Sequence, residues 1–124
     1  MLNTALYDTA KRFNVNLMEL GPEVSVDMKL TNSMMCTEHA IVVGVFDCPI
    51  MEVCVFYHEL AHHTYKQFGA CTYSEERETW RRAFTMLRSD NIKIPYSKLK
   101  ECVYLLKGYL NEQQPTDTLV CFQA

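Results

Sequence analysis

Residues 58–63 read His-Glu-Leu-Ala-His-His and place two imidazoles and a carboxylate at a spacing suited to metal chemistry. On a helix, residues i and i+4 lie on one face, so His58 and His62 can both reach a zinc ion at about 2.0–2.1 Å. Glu59 is rotated by about 100° from His58, so we expect it to reach a water on the metal rather than the metal itself. The motif therefore predicts a Zn²⁺ site with His58 and His62 as ligands and Glu59 as a catalytic general base.

The residues around the motif bear on whether the two histidines bind a metal. On a helical projection the main apolar face lies nearly opposite His58 and His62, and it is formed by Val53, Phe56, Tyr57, Leu60, Thr64 and Phe68. A face exposed to water would more often carry Lys or Glu than two histidines. The pattern favours metal ligands, and the alternative is a structural histidine pair without metal.

A third protein ligand is expected, because catalytic zinc commonly has three and one open position. Glu75, Glu76 and Glu78 follow in the next predicted helix. Glu76 lies four residues before Trp80, on the apolar stripe that continues through Ala83, Phe84 and Leu87. Since a carboxylate facing the core needs a cation or a strong donor, Glu76 is the predicted ligand. Glu75, on the flank of the stripe, is the alternative, and Glu78 faces solvent.

Two tyrosines could stabilise the oxyanion of a tetrahedral intermediate. Tyr65 lies on the ligand face one turn after His62 and is our candidate, while Tyr73 precedes the helix of Glu76. For each, simple packing at a helix boundary is the competing interpretation. Of the other histidines, His63 is expected off the metal face, and His39 is expected to be structural or, at a strand end near the site, to touch substrate.

The length and composition limit the remaining possibilities. The chain has 124 residues, 48% of them hydrophobic, and a net charge of −3, which predicts one domain with a packed core. The charges are scattered, which argues against direct binding of nucleic acid. No apolar run approaches the roughly 20 residues of a membrane span, and the start of the chain does not resemble a signal peptide. We therefore predict a cytoplasmic protein without membrane contact.

Six cysteines invite a disulfide interpretation, but structural thiols are the better prediction. A cytoplasmic compartment is reducing, and no Cys-x-x-Cys spacing is present. Cys54 and Cys102 lie in apolar helical patterns, where a free cysteine behaves as a small hydrophobic residue.

Periodicity and turn signals predict an α+β fold, with a small antiparallel or mixed sheet packed on helices. A strand over 24–30 should pair antiparallel with a central strand over 40–46, which the chain reaches from residues 34–36. The Asp47-Cys48-Pro49 segment should start the helix of the histidines, and Ser74 should cap the helix of Glu76. The predicted helices are 3–14, about 50–68 closed by Gly69, about 74–88 and about 98–110, followed by an ambiguous tail over 113–124.

These residues resemble the ImmA/IrrE-type metallopeptidase domain. The similarity covers residues 1–112, and its specific part is His58–His63 together with Glu75–Phe84. Family members carry Glu-x-x-Ala after the HExxH motif, and its Glu is the third zinc ligand. Glu76 takes that place in this chain, with Thr79 where Ala is usual.

The resemblance implies a gluzincin-like fold with zinc between two helices, the HExxH motif lying on a central helix. It also implies a peptidase, often phage-encoded, that cuts a helix-turn-helix repressor. This chain departs from the family in a shorter interval between His62 and Glu76, in Trp80 where Asn is frequent, and in having no attached helix-turn-helix segment, so a repressor partner would be a separate chain. The metzincin pattern is excluded, since Tyr65 and Phe68 replace its Gly and His.

Three functions follow from these observations. The first is a zinc-dependent endopeptidase acting on a protein or peptide, with His58, His62 and Glu76 on the metal and Glu59 as base. The second is a catalytically inactive zinc-binding fold that binds or inhibits a partner protein. The third is a histidine pair without metal.

Overall fold

The computed structural model describes residues 4–113, and the side chains of residues 4–106. The fold over these residues is α+β, as predicted, with five helices and one three-stranded sheet. Its elements are α1 (Thr4–Arg12), β1 (Asn16–Glu19), α2 (Pro22–Asp27), β2 (Met34–Cys36), β3 (Ala40–Val43), α3 (Pro49–Thr64), α4 (Tyr73–Ser89) and α5 (Tyr96–Gln113). The predicted tail beyond Gln113 lies outside the described residues. Over the described part of the chain, none of the helices has the length and apolarity needed to cross a membrane.

The sheet is mixed, with strand order β1-β3-β2. β3 is the central strand, as its apolar run predicts, although it ends at Val43 rather than at Phe46. It pairs parallel with β1, where Asn16 lies opposite Ala40, and antiparallel with β2, where Cys36 lies opposite Ile41. Ile41 and Val43 are completely buried, so the central strand anchors the sheet in the core.

The strand predicted over 24–30 is wrong, and residues 22–27 form helix α2. Pro22 occupies the first turn, where its fixed φ favours a helix and its missing N–H costs nothing. Val24 and Val26 are exposed, whereas Ser25 is fully buried and accepts a hydrogen bond from the Val45 backbone N–H at 3.1 Å. The alternation of apolar residues therefore did not mark a buried face. β3 pairs instead with β1, a strand that the sequence pattern did not reveal.

Helix α3 begins with Pro49 in its first turn, as predicted, but ends at Thr64 rather than near Phe68. Lys66 adopts a left-handed conformation with φ of 55°. The backbone N–H groups of Lys66 and Gln67 donate to the carbonyls of His63 and His62 at 3.1 and 2.9 Å, which is the Schellman arrangement that closes a helix. Residues 54–62 are all buried, because α3 packs against β2 on one side and α4 on another.

Helix α4 is capped by Thr72 and not by Ser74 as predicted. The Thr72 hydroxyl accepts from the Glu75 N–H at 3.1 Å, and the Glu75 carboxylate accepts from the Thr72 N–H at 2.9 Å. This capping box satisfies two backbone donors of the first turn. The predicted inward stripe is confirmed, since Glu76, Trp80, Ala83 and Leu87 are buried. Helix α5 is longer at both ends than the predicted 98–110.

The cysteines within the described residues are free, in keeping with the predicted thiols. Cys54 of α3 and Cys102 of α5 are almost completely buried and lie within the main hydrophobic cluster. They contribute to the contact between these two helices as small apolar side chains.

Gly44 provides a test of how tightly α2 and its following turn pack on the end of β3. A Cβ at Gly44 would overlap the Leu30 carbonyl and approach the Ser25 hydroxyl, whereas a Cβ at Gly21 would meet nothing. We expect Gly44→Ala to lower the free energy of unfolding by about 2 kcal/mol or more, since the obstacle is backbone. Gly21→Ala, the matched control, should change it by only a few tenths of a kcal/mol. Urea denaturation measures both, and equal stabilities would contradict the close approach.

Candidate metal centre

Three side chains converge between α3 and α4. His58 and His62 come from successive turns of α3, and Glu76 comes from the first turn of α4. The His58 Nε2 lies 2.6 Å from Glu76 Oε1, and the His62 Nε2 lies 2.8 Å from Glu76 Oε2. One ligand atom of each residue lies within 4.8 Å of the other two. The structure thus brings together the three residues that the sequence predicted as metal ligands.

All three side chains are buried, so their polar groups need hydrogen-bond partners or a cation in place of water. Glu76 is 1% exposed, His62 is 5% and His58 is 6%. A carboxylate removed from water is costly unless donors or a cation compensate it. The two imidazoles supply the donors to Glu76, and the capping box at Thr72 and Glu75 fixes the turn from which Glu76 projects.

The imidazole of His58 is held from several directions. Its Nδ1 lies 2.7 Å from Glu59 Oε2. The indole of Trp80 stacks on the ring, with centroids 4.2 Å apart and planes inclined by 15°. The ring of His62 meets it nearly perpendicular, at 4.6 Å between centroids. His58 therefore has little freedom to turn.

His62 has a sulfur neighbour. Its Nδ1 lies 3.8 Å from the Sγ of Cys71, in the loop between α3 and α4. Burial, together with the nearby carboxylates of Glu76, Glu75 and Glu59, raises the pKa of the Cys71 thiol to about 12, so the sulfur is a neutral thiol at physiological pH. Cys71 therefore contacts the His62 imidazole at the ring nitrogen that does not face Glu76.

The pKa values of His58 and Glu76 are displaced in opposite directions. Burial by itself lowers the pKa of His58, but its hydrogen bonds with Glu59 and Glu76 outweigh burial and raise the pKa to about 9 from an ordinary 6.5. Burial by itself raises the pKa of Glu76, but hydrogen bonds from His58 and His62 lower it to about 2 from an ordinary 4.5. The pair therefore forms a charged, hydrogen-bonded cluster at neutral pH.

The donor set fits a divalent metal ion. Two imidazole nitrogens and one carboxylate oxygen are a ligand combination typical of catalytic zinc, with one position left for water or substrate. Tetrahedral coordination at about 2.0–2.1 Å places neighbouring ligand atoms about 3.3 Å apart. The present separations of 2.6 and 2.8 Å would have to widen by about 0.5–0.7 Å.

A surface depression of about 320 Å³ gives access to the cluster. Glu59, His62 and Glu76 line it from the helices, and β2 contributes Met34, Met35 and Cys36. The loop after α3 completes the wall with Gln67 and Gly69. His62 and Glu76 are therefore reached from the side of the sheet edge formed by β2.

The other candidates from the sequence lie elsewhere. Glu75 is exposed and engaged in the capping box, so it does not join the cluster. Tyr65 is half exposed, and the guanidinium of Arg82 lies 3.7 Å above its ring, on a different depression from that of Glu76. Tyr73 is fully buried in the core at the start of α4. His39 is exposed, and His63 packs edge-on against Phe68.

Sequence reasoning missed two neighbours of the ligands. The sequence pattern assigns Trp80 to the apolar stripe and predicts no contact with His58. Its spacing of four from Glu76 nevertheless places it one helical turn from the predicted ligand. Cys71 carried no signal, because its contact with His62 depends on how the loop between two helices folds.

Comparisons with protein-family models, with curated proteins and with solved structures found no match. The resemblance to the ImmA/IrrE type therefore stays a prediction, and the geometry of the cluster is what indicates a function.

Metal binding can be tested with two adjacent carboxylates. We expect Glu76→Gln to weaken zinc binding by about 100-fold or more, because a neutral amide is a poor ligand for the buried ion. Glu75→Gln is the matched control and should bind zinc as the wild type does, since Gln also completes a capping box. Competition with a chromophoric chelator measures both affinities. Equal zinc affinity of Glu76→Gln and the wild type would exclude Glu76 as a ligand.

The charged cluster also predicts how the stability of chelator-treated protein depends on pH. The lowered pKa of Glu76 adds stability that is complete above pH 4.5 and is lost as the pH falls towards 2. The raised pKa of His58 adds stability that is complete below pH 6.5 and is lost as the pH rises towards 9. The stability contributed by these two groups should therefore be greatest between pH 4.5 and 6.5.

Urea unfolding of the chelator-treated protein at a series of pH values measures this profile. With excess zinc the slope between pH 6.5 and 9 should reverse, because metal ligands must be deprotonated. His58→Ala should flatten the decline of the chelator-treated protein over that interval. A wild-type stability that does not change there would contradict the charged cluster.

Proposed function

We propose that the protein is a zinc-dependent endopeptidase with a gluzincin-like site, as the ImmA/IrrE resemblance implies. The observation that carries the proposal is the convergence of His58, His62 and Glu76 within 4.8 Å, with Glu59 lining the same depression. Zinc bound by these residues would lower the pKa of a coordinated water towards neutral and polarise the scissile carbonyl. The metal-binding potential of the cluster rests on geometry, whereas the choice of zinc rests on the ligand set.

Glu59 is the proposed general base. Its carboxylate is 8% exposed and opens onto the depression together with the ligands His62 and Glu76. From there Glu59 can take a proton from the attacking water and deliver it to the leaving amine. We assign no oxyanion role to Tyr65, because it lies against Arg82 on another part of the surface.

The position of β2 supports a peptide as the substrate. Within the described residues β2 pairs only with β3, so its other edge presents backbone groups without a strand partner. All three residues of β2 line the depression beside the cluster. An extended peptide can add to such an edge through main-chain hydrogen bonds. The ImmA/IrrE resemblance extends the proposal to a helix-turn-helix repressor as the source of that peptide.

One contact favours a second function, an inactive zinc-binding module that binds a partner protein. Glu59 Oε2 lies 2.7 Å from the Nδ1 of His58. Carboxylates often accept the second ring N–H of a metal-ligating histidine and orient it, without taking part in proton transfer. If orienting His58 is the only function of Glu59 when the metal is bound, the site holds zinc but lacks a base.

The substitution Glu59→Gln separates the two functions. We expect the variant to retain zinc at wild-type stoichiometry and to lose peptidase activity by about 100-fold or more, because Gln cannot accept the proton. The assay incubates zinc-loaded protein with a peptide library from a digested proteome and detects new termini by mass spectrometry. Glu78→Gln, at an exposed carboxylate paired with Arg81 at 3.0 Å, is the control and should cleave normally.

Two results would contradict the peptidase. One is cleavage by Glu59→Gln at the wild-type rate. The other is a zinc-loaded wild type that leaves the library intact and forms a stable complex with an uncut partner, which would support the inactive module.

A further inference from the structure

We propose that Trp80 is a positioning residue for the metal centre, which holds the plane of the His58 imidazole so that its Nε2 points at the ion. This inference rests on the proposed metal site and adds a function for a residue outside the ligand set. It also concerns the position at which this chain departs from the Asn that is frequent in the ImmA/IrrE type.

The contact between the two rings is close and nearly parallel. Their centroids are 4.2 Å apart and their planes are inclined by 15°. Trp80 is 5% exposed and His58 is 6% exposed, so both rings lie within the packed interface of α3 and α4. A flat indole against the face of an imidazole resists rotation of the imidazole about its Cβ–Cγ bond.

The contacts of the two ring nitrogens of His58 do not by themselves prevent this rotation of the imidazole. Nε2 faces Glu76 at 2.6 Å and Nδ1 faces Glu59 at 2.7 Å, and both partners are carboxylates on flexible side chains. A metal ion requires the nitrogen lone pair to point at it within about 10–20°. Stacking fixes the plane in which the lone pair lies, and Glu59 fixes its direction within that plane.

Helix α4 supplies both the third ligand and the stacking ring. Glu76 and Trp80 are one turn apart on the buried face of the same rigid helix. A shift of α4 would therefore move the carboxylate and the indole together relative to α3. Phe84, one turn further along, is only partly buried, and its ring centroid lies 5.6 Å from that of Trp80.

The test compares zinc affinity in variants of the whole 124-residue chain that differ only at this stack. We expect Trp80→Leu to weaken zinc binding by about 10- to 100-fold, the range typical when a residue that orients a ligand is removed. Trp80→Phe, which keeps a flat ring, should retain most of the wild-type zinc affinity. Phe84→Leu is the matched control, because it removes a partly buried ring beside Trp80 and leaves the stack of Trp80 on His58 in place, and it should bind zinc as the wild type does.

A second readout separates positioning from general stability. With Co²⁺ in place of zinc, the visible absorption bands report ligand geometry, and we expect them to shift and weaken in Trp80→Leu but not in Phe84→Leu. Unfolding in the presence of a chelator first establishes which variants fold. If Trp80→Leu does not fold, Trp80→Met takes its place, since the flexible Met side chain fills irregular gaps in a core without offering a flat ring.

The outcomes distinguish this inference from the proposed function. If the wild type binds zinc and the Leu or Met variant binds it equally well with an unchanged Co²⁺ spectrum, Trp80 does not position His58 although the metal site stands. The same conclusion follows if Trp80→Phe is as weak as the ringless variant. A wild type that binds no zinc would overturn the metal site itself.

Discussion

The burial of the Glu76 carboxylate is the constraint on which the arrangement of α3 and α4 depends. With 1% of its surface exposed, this group can ionise only if donors or a cation replace the water it has lost. His58 and His62 provide two such donors at 2.6 and 2.8 Å. The two helices must therefore meet with these particular turns in register, because any other register would leave a charge buried without a partner.

The same constraint links the candidate metal centre to the core. Residues of α3 on either side of the histidines, Tyr57 and Leu60 among them, are fully buried and belong to the main hydrophobic cluster. On α4, Ala83 and Leu87 continue the face that carries Glu76. The apolar contacts supply most of the stabilisation of the interface, and the polar cluster specifies how the helices align. A buried polar network that is fully satisfied can fix a unique packing in this way.

Much of the cluster could be predicted from helical periodicity alone. The spacing of His58 and His62 places them on one face, and the spacing of Glu76 and Trp80 places both on the inward stripe of the next helix. These inferences succeed because each depends on positions within one helix, where geometry is fixed by hydrogen bonds between neighbouring turns. The contact of Trp80 with His58 requires the relative placement of two helices, which no single-helix pattern contains.

The errors in the predicted elements also have identifiable causes. In residues 24–30 the alternation of apolar residues imitates a strand, but Gly21 and Pro22 start a helix, and the valines of that helix are exposed. At the start of α4 the signal was present in the sequence, because Thr72 is followed three residues later by Glu75, whereas Ser74 is followed by Arg77. α3 is closed by Lys66 in the left-handed conformation, and lysine, unlike glycine, does not predict that conformation.

The contact of Glu59 with His58 brings the structural and the chemical functions of the cluster into competition. A carboxylate that accepts from the Nδ1 of His58 strengthens the histidine as a ligand, whereas a general base must have its oxygen free for the attacking water. A carboxylate has two oxygens, and only Oε2 of Glu59 is at 2.7 Å from the ring. Because Glu59 also lines the open depression, one oxygen can orient the ligand while the other faces the substrate. For a site that holds a metal, the choice between cleaving peptides and only binding the ion thus depends on how the two oxygens of Glu59 are shared between His58 and the depression.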